Sequence, residues 1–237
     1  MSSALRLNNF NYTPYLTFPE NLPRLGTPRN LPPIPDLFEP ACQPDVTEPS
    51  NEPLVLIEPD STITPLHLYH RTGWPDSTPY CHVRETVYNK VAAAENRLPP
   101  GYGLAIMDGW RPLELQQHIY AAARNEPALP ENFVSEPSTN PATPPPHLTG
   151  GTIDATLTWR GTPLALGTGF DDFTPLAHTR AYEYTDTPTR NLRRLLYHTM
   201  RAEGLIVLDC EWWHFEYGTR RWAAINGSEP LYGATQP

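Results

Sequence analysis

Apolar residues recur at helical spacing in three stretches of the chain. Between Arg84 and Arg97 they fall at Val87, Val91 and Ala94, with Leu98 just beyond, the i, i+4, i+7 pattern of one helix face. Leu98-Pro99-Pro100-Gly101 ends that stretch. Asp108-Gly109-Trp110-Arg111-Pro112 reads as a turn. Pro112 suits the first position of the next helix, whose inward residues are Leu115, Ile119, Ala122 and Ala123. Asn191 to Glu203 is a third helix, with Leu192, Leu195, Leu196 and Met200 inward and Gly204 as its stop. Short apolar runs without that spacing lie between them. Tyr102–Met107, Ile153–Thr158, Leu205–Leu208 and Trp213–Tyr217 read as strands. Helices interleaved with short hairpin-like strands predict an α+β fold.

Proline interrupts this pattern in two places. Twelve prolines fall in residues 1–60 and seven in 127–146. Proline fixes φ and cannot donate to a helix or sheet ladder. The amino-terminal region therefore reads as extended, irregular chain. The chain divides into a proline-rich segment, 1–79, packed on a core, 80–237, within one compact domain. Asn125 to Pro146 is expected to be a long surface loop.

Proline makes up 30 of the 237 residues, which explains an apolar fraction of only 39%. The net charge of −9 argues against nucleic acid and anionic lipid as partners, since both require a basic face. Lys90 is the sole lysine beside sixteen arginines, and its surroundings (VYNKVAAAE) lack glycine, so no phosphate loop is built on it. Cys42, Cys81 and Cys210 form no CxxC pair and no disulfide framework. No apolar run approaches the ~18 residues of a membrane span. The first residues show no basic-then-apolar leader, so the expected location is the cytoplasm.

Two clusters carry the candidate chemistry: His147-Leu-Thr-Gly150-Gly151-Thr-Ile-Asp154 and Glu211-Trp212-Trp213-His214. Together they supply two imidazoles and two carboxylates. A catalytic zinc site uses three protein ligands and needs a further carboxylate to move protons. His147 and Asp154 would face opposite sides of one continuous strand, so the Gly150-Gly151 pair must break it. Glu211 and His214 share a side only if the chain bends near Trp212. Spacing alone leaves other roles open: a turn cap at Asp154, a loop histidine at His147, a core strand at EWWH. Arg190, Arg193, Arg194 and Arg201 read as the solvated side of their helix.

The pattern His147-x-x-Gly150-x-x-x-Asp154 followed by Glu211-Trp212-Trp213-His214 resembles the zinc signature of the D-alanyl-D-alanine dipeptidases of the vancomycin-resistance type. That superfamily includes D,D-carboxypeptidases and the amino-terminal domain of hedgehog proteins. Arg84-Glu85, Leu98 to Leu104, Asp108-Gly109-Trp110-Arg111-Pro112 and Gly167-Thr168-Gly169-Phe170-Asp171 are similar to further family segments, in the same order. The resemblance implies a small antiparallel central sheet flanked by helices. It implies one zinc ion on His147, Asp154 and His214, with Glu211 as general base and then acid. Arg111 would sit over the developing oxyanion, and Asp171 would pair with the substrate ammonium. The implied substrate is D-Ala-D-Ala or a related small dipeptide. The alternatives are a D,D- or L,D-carboxypeptidase or endopeptidase acting on peptidoglycan peptides, and a non-catalytic metal-binding relative. Pro145 stands where the family has serine, and Thr152 where it has alanine.

Overall fold

The structure is a computed structural model that describes residues 15–28, 30–59, 62–125 and 134–237. Its elements are β1 (Leu54–Leu56), β2 (Ile63–Pro65), α1 (Leu68–Arg71), β3 (His82–Arg84), α2 (Glu85–Glu95), β4 (Tyr102–Asp108), α3 (Leu113–Arg124), β5 (Thr152–Trp159), β6 (Thr162–Pro163), α4 (Pro188–Ala202), β7 (Ile206–Val207), β8 (His214–Glu216) and α5 (Arg220–Asn226). The fold is α+β. Among the described residues, the central sheet has six strands in the order β2-β4-β5-β8-β7, with β6 also on β5. It is mixed, because β2 runs parallel to β4. The expected small antiparallel sheet holds for β4, β5, β6, β7 and β8 and is corrected at β2. A proline-bearing segment, Ile63-Thr-Pro65, adds a parallel edge strand that a three-residue pattern cannot announce.

Strand alternation sorts the two faces of β5. Ile153, Ala155 and Leu157 enter the apolar core with Val87 and Val91 of α2 and with Leu192 and Leu196 of α4. Thr152, Asp154, Thr156 and Thr158 point the other way and are also buried. Asp154 lies directly opposite His214 of β8 and Asp108 of β4. The last pairing depends on a bulge. Ile106 pairs with Ala155, but Asp108, not Met107, pairs with Asp154. The extra residue moves Asp108 off the core face and beside Asp154, the re-aiming that bulges provide near functional sites.

The helices differ in detail from the sequence pattern. α3 begins at Leu113, with Pro112 in extended backbone as its cap rather than its first residue. α4 begins at Pro188, earlier than Asn191, because Thr187 caps it by accepting from the Arg190 N–H at 3.3 Å. Arg193 is not on a solvated side. It is buried, and its guanidinium donates to the carbonyls of Leu166, Leu176 and His178.

The described part of the proline-rich segment has little regular structure: a 3-10 turn (Pro19–Asn21), a bridge from Thr17 to Leu164, the short strands β1 and β2, and the four-residue α1. Leu16, Ile34, Val46 and Ile57 are nevertheless buried. Core side chains grip the strap between residues 31 and 46. Arg194 donates to Leu31 O and Arg180 to Ile34 O. Arg221 pairs with Glu39, and Arg220 donates to Gln43 O and Pro44 O. Part of the Asn125–Pro146 loop, residues 126–133, lies outside the described residues.

Candidate active site

A 3-10 turn, His147–Thr149, leads into β5 through Gly150 at φ +70°. A Cβ on Gly150 would lie 2.3 Å from the Leu54 side chain, and one on Gly151 would lie 2.6 Å from Tyr217 O. Only glycine fits both positions, and the reversal brings His147 back over Asp154. Just before β8, the residues Glu211–His214 form a turn closed by the His214 N–H on Glu211 O at 3.3 Å. Trp212 anchors that turn, its indole N–H donating to Thr168 Oγ1 at 2.8 Å. Both the break at the glycines and the bend at Trp212 that convergence requires are present.

His147 Nε2 lies 3.4 Å from one Asp154 oxygen, and His214 Nδ1 lies 3.1 Å from the other. One ligand atom from each of the three residues lies within 4.8 Å of the others, and all three are buried. The outward nitrogen of each imidazole is already committed. His147 Nδ1 donates to Gly109 O at 2.7 Å. His214 Nε2 donates to Glu216 Oε1 at 3.0 Å. This fixes the tautomers so that the remaining lone pairs face Asp154, the outer-sphere arrangement typical of metal-bound histidine. Asp154 Oδ1 is buried without a hydrogen bond of good geometry. A buried orphan acceptor beside two aimed imidazoles fits a divalent cation, and the three residues can hold one.

Charge is balanced within a small volume. Burial opposes ionisation of Asp154, but His147 and His214 hold its carboxyl below the usual range. Burial also opposes the charged form of His214, yet the neighbouring Asp154 and Glu216 carboxylates outweigh this and push it up to about 10, so a cation at the cluster would take the place of the Nδ1 proton. Burial, then Arg111, pushes His147 down to about 3. Glu211 lies 3.7 Å from His214 Nδ1, and burial raises its carboxyl to about 7. Arg111 donates to Asp108 at 2.8 Å, to Gln116 Oε1 at 2.7 Å and to the Tyr69 hydroxyl at 3.2 Å. It stands 3.7 Å from Asp154. Asp171, at φ +52°, accepts from the Tyr69 hydroxyl at 2.8 Å. Burial raises its carboxyl well above the ordinary range.

These groups line one cavity of about 490 Å³, which takes in Arg111, His147, Asp154, Asp171, Glu211 and His214. The family described as D-ala-D-ala dipeptidase matches residues 76–226, more than half of the chain. The chain belongs to this family. A curated relative, "D-alanyl-D-alanine dipeptidase" of Synechocystis sp., is 28% identical over 193 residues, covering 66% of this chain and 78% of that protein. The family is one of metallopeptidases, and the cluster His147, Asp154 and His214 sits inside the matched span.

Several further groups line or support this dipeptidase-family site. Glu216 follows His214 by two residues on the same strand face, a spacing that identifies it once β8 is known to be a strand. Tyr69 joins Arg111 to Asp171 from α1, a four-residue helix too short for periodicity to reveal. Glu39 reaches the cavity from the proline-rich strap. His178, also on the cavity wall, lies 3.5 Å from Asp209 at its rim.

Proposed function

We propose that the chain is a zinc-dependent dipeptidase hydrolysing D-Ala-D-Ala or a related small dipeptide. One observation carries the reading: three buried ligand atoms converge within 4.8 Å, with the Glu211 carboxylate beside them and outside the ligand set. His147, Asp154 and His214 would hold the ion. Bound there, zinc supplies a Lewis acid and makes hydroxide accessible near neutral pH.

The chain's own residues perform the rest. Glu211 takes a proton from the attacking water and later gives it to the departing amine as the C–N bond breaks. A carboxyl near 7 suits both directions of transfer at neutral pH. Arg111 faces the carbonyl oxygen where negative charge develops. Its bonds to Asp108, Gln116 and Tyr69 fix the guanidinium in advance, so little reorganisation is needed in the transition state. Asp171 is a buried acid with no cation within ion-pair distance among the described residues, Arg111 acting on it only from farther off, and a substrate ammonium would supply one. That requirement for a free amino terminus favours a dipeptide over a blocked or internal peptide.

The strap belongs to this reading as part of the same folding unit, and Glu39 forms part of the cavity wall. The test is a dipeptide panel with zinc analysis. Glu211→Gln is expected to keep one zinc per chain and to lose turnover by about 10²-fold or more. Turnover unchanged in that variant rejects the mechanism. Faster cleavage of an amino-blocked dipeptide or a pentapeptide than of D-Ala-D-Ala rejects the role of Asp171 and favours the carboxypeptidase alternative.

A further inference from the structure

A dipeptide carries a carboxylate as well as an ammonium, and a buried cleft must offer each a partner. Asp171 is the partner at the amino end in the reading above. Among the described residues, the permanent cations on the cavity wall are Arg111 and Arg221. Arg111 is occupied by Asp108, Gln116 and Tyr69. Arg221, on α5, is mostly buried, its side chain 16% exposed. It is only partly engaged. One terminal nitrogen donates to Glu39 at 2.8 Å. Nε lies 3.2 Å from Glu216 Oε1 but off hydrogen-bond geometry, and it is buried without a partner. The other terminal nitrogen makes no hydrogen bond among the described residues.

Position supports the same role. Asp171 lies on the Tyr69 and Arg111 side of the ligand cluster. Arg221 lies on the Glu216 side, beside the carboxylate that holds His214. Asp171, bonded to Tyr69, and Arg221, beside Glu216, thus belong to different side-chain networks that line the same cavity. The cavity rim on this side already receives one carboxylate, that of Glu39, which also accepts from the Asp209 N–H at 3.1 Å. Glu39 is 44% exposed, so its pairing is screened by water and holds Arg221 only weakly.

We propose that Arg221 receives the C-terminal carboxylate of the dipeptide and so fixes the direction in which the substrate lies across the site. This rests on the dipeptidase reading of the cleft. The competing role is purely positional: Arg221 steadies Glu216, which steadies His214.

The test is calorimetric binding of D-Ala-D-Ala and of its C-terminal amide to the zinc-loaded Glu211→Gln chain, with and without Arg221→Gln. Zinc affinity is measured in parallel by chelator competition. The free acid is expected to bind about tenfold or more tighter than the amide, as charge-assisted bonds require. Arg221→Gln should abolish that preference with zinc affinity retained. Arg221→Lys, which keeps the charge without the planar fork, should restore part of it. Acid and amide binding alike in the parent overturns the proposal. So does a preference that survives Arg221→Gln, or a zinc loss with the preference intact. Absence of binding by both ligands instead sinks the dipeptidase reading, and this inference with it.

Discussion

Glu216 is the residue whose burial says most about the site. It is fully buried, accepts from His214 and from the Thr219 hydroxyl, and faces Arg221. Burial opposes its ionisation, but the His214 bond and Arg221 outweigh that and push its carboxyl down to about 2. It therefore stays ionised and holds the His214 ring with Nδ1 toward Asp154. Glu216→Gln keeps the shape and removes the charge. Zinc affinity is expected to fall about 10–100-fold, measured by chelator competition on chains with unchanged circular dichroism. An unchanged affinity would show that His214 is oriented by β8 alone.

At the scale of elements, the site is a row across three strands with a turn folded over it. Asp108, Asp154 and His214 stand side by side on β4, β5 and β8. The Met107 bulge sets the first, and the Gly150-Gly151 reversal brings His147 above the second. Gly150→Ala tests the reversal. It forces a non-glycine residue to φ +70° and drives its Cβ into Leu54. The backbone strain should cost about 1–3 kcal/mol, read from the denaturant midpoint, with reduced zinc occupancy. A stable, fully loaded variant would mean that the turn tolerates another conformation. The segment carrying Asp171 has a second support in Arg193. Its guanidinium is buried against three carbonyls between Leu166 and His178, and burial lowers its pKa to about 9.

Over the whole molecule, the arginine-rich composition finds its use in the strap. Arg180, Arg194, Arg220 and Arg221 hold a segment that has almost no ladder of its own. Proline lowers the entropy that such a segment loses on ordering, and carbonyls freed from secondary structure become acceptors for guanidinium groups. Leu16, Ile34 and Val46 add apolar burial, each contributing about 1.5–3 kcal/mol. Their sum is comparable to the whole stability of a typical domain, about 5–15 kcal/mol. A chain beginning at Glu48 is therefore expected to lose cooperative thermal unfolding in calorimetry. A sharp transition at the parent's temperature would show that the strap is an appendage.

Residue type and local order determined a good deal. The apolar spacing located α2, α3 and the body of α4, and the glycine pair and the EWWH segment announced a break and a bend. The six candidate side chains, Arg111, His147, Asp154, Asp171, Glu211 and His214, share one cavity. The two histidine clusters offered metal-ligand types by themselves, whereas the roles of Arg111, Asp171 and Glu211 came from the resemblance to the dipeptidase family. Tertiary structure decided the rest. Whether Asp108 or Met107 faces Asp154 depends on a one-residue bulge that leaves no mark in composition. Tyr69, Glu39 and Arg221 reach the cavity from segments distant in sequence, through contacts that chain order does not encode. Local propensity is written residue by residue, whereas register and long-range pairing are settled only when the strands meet.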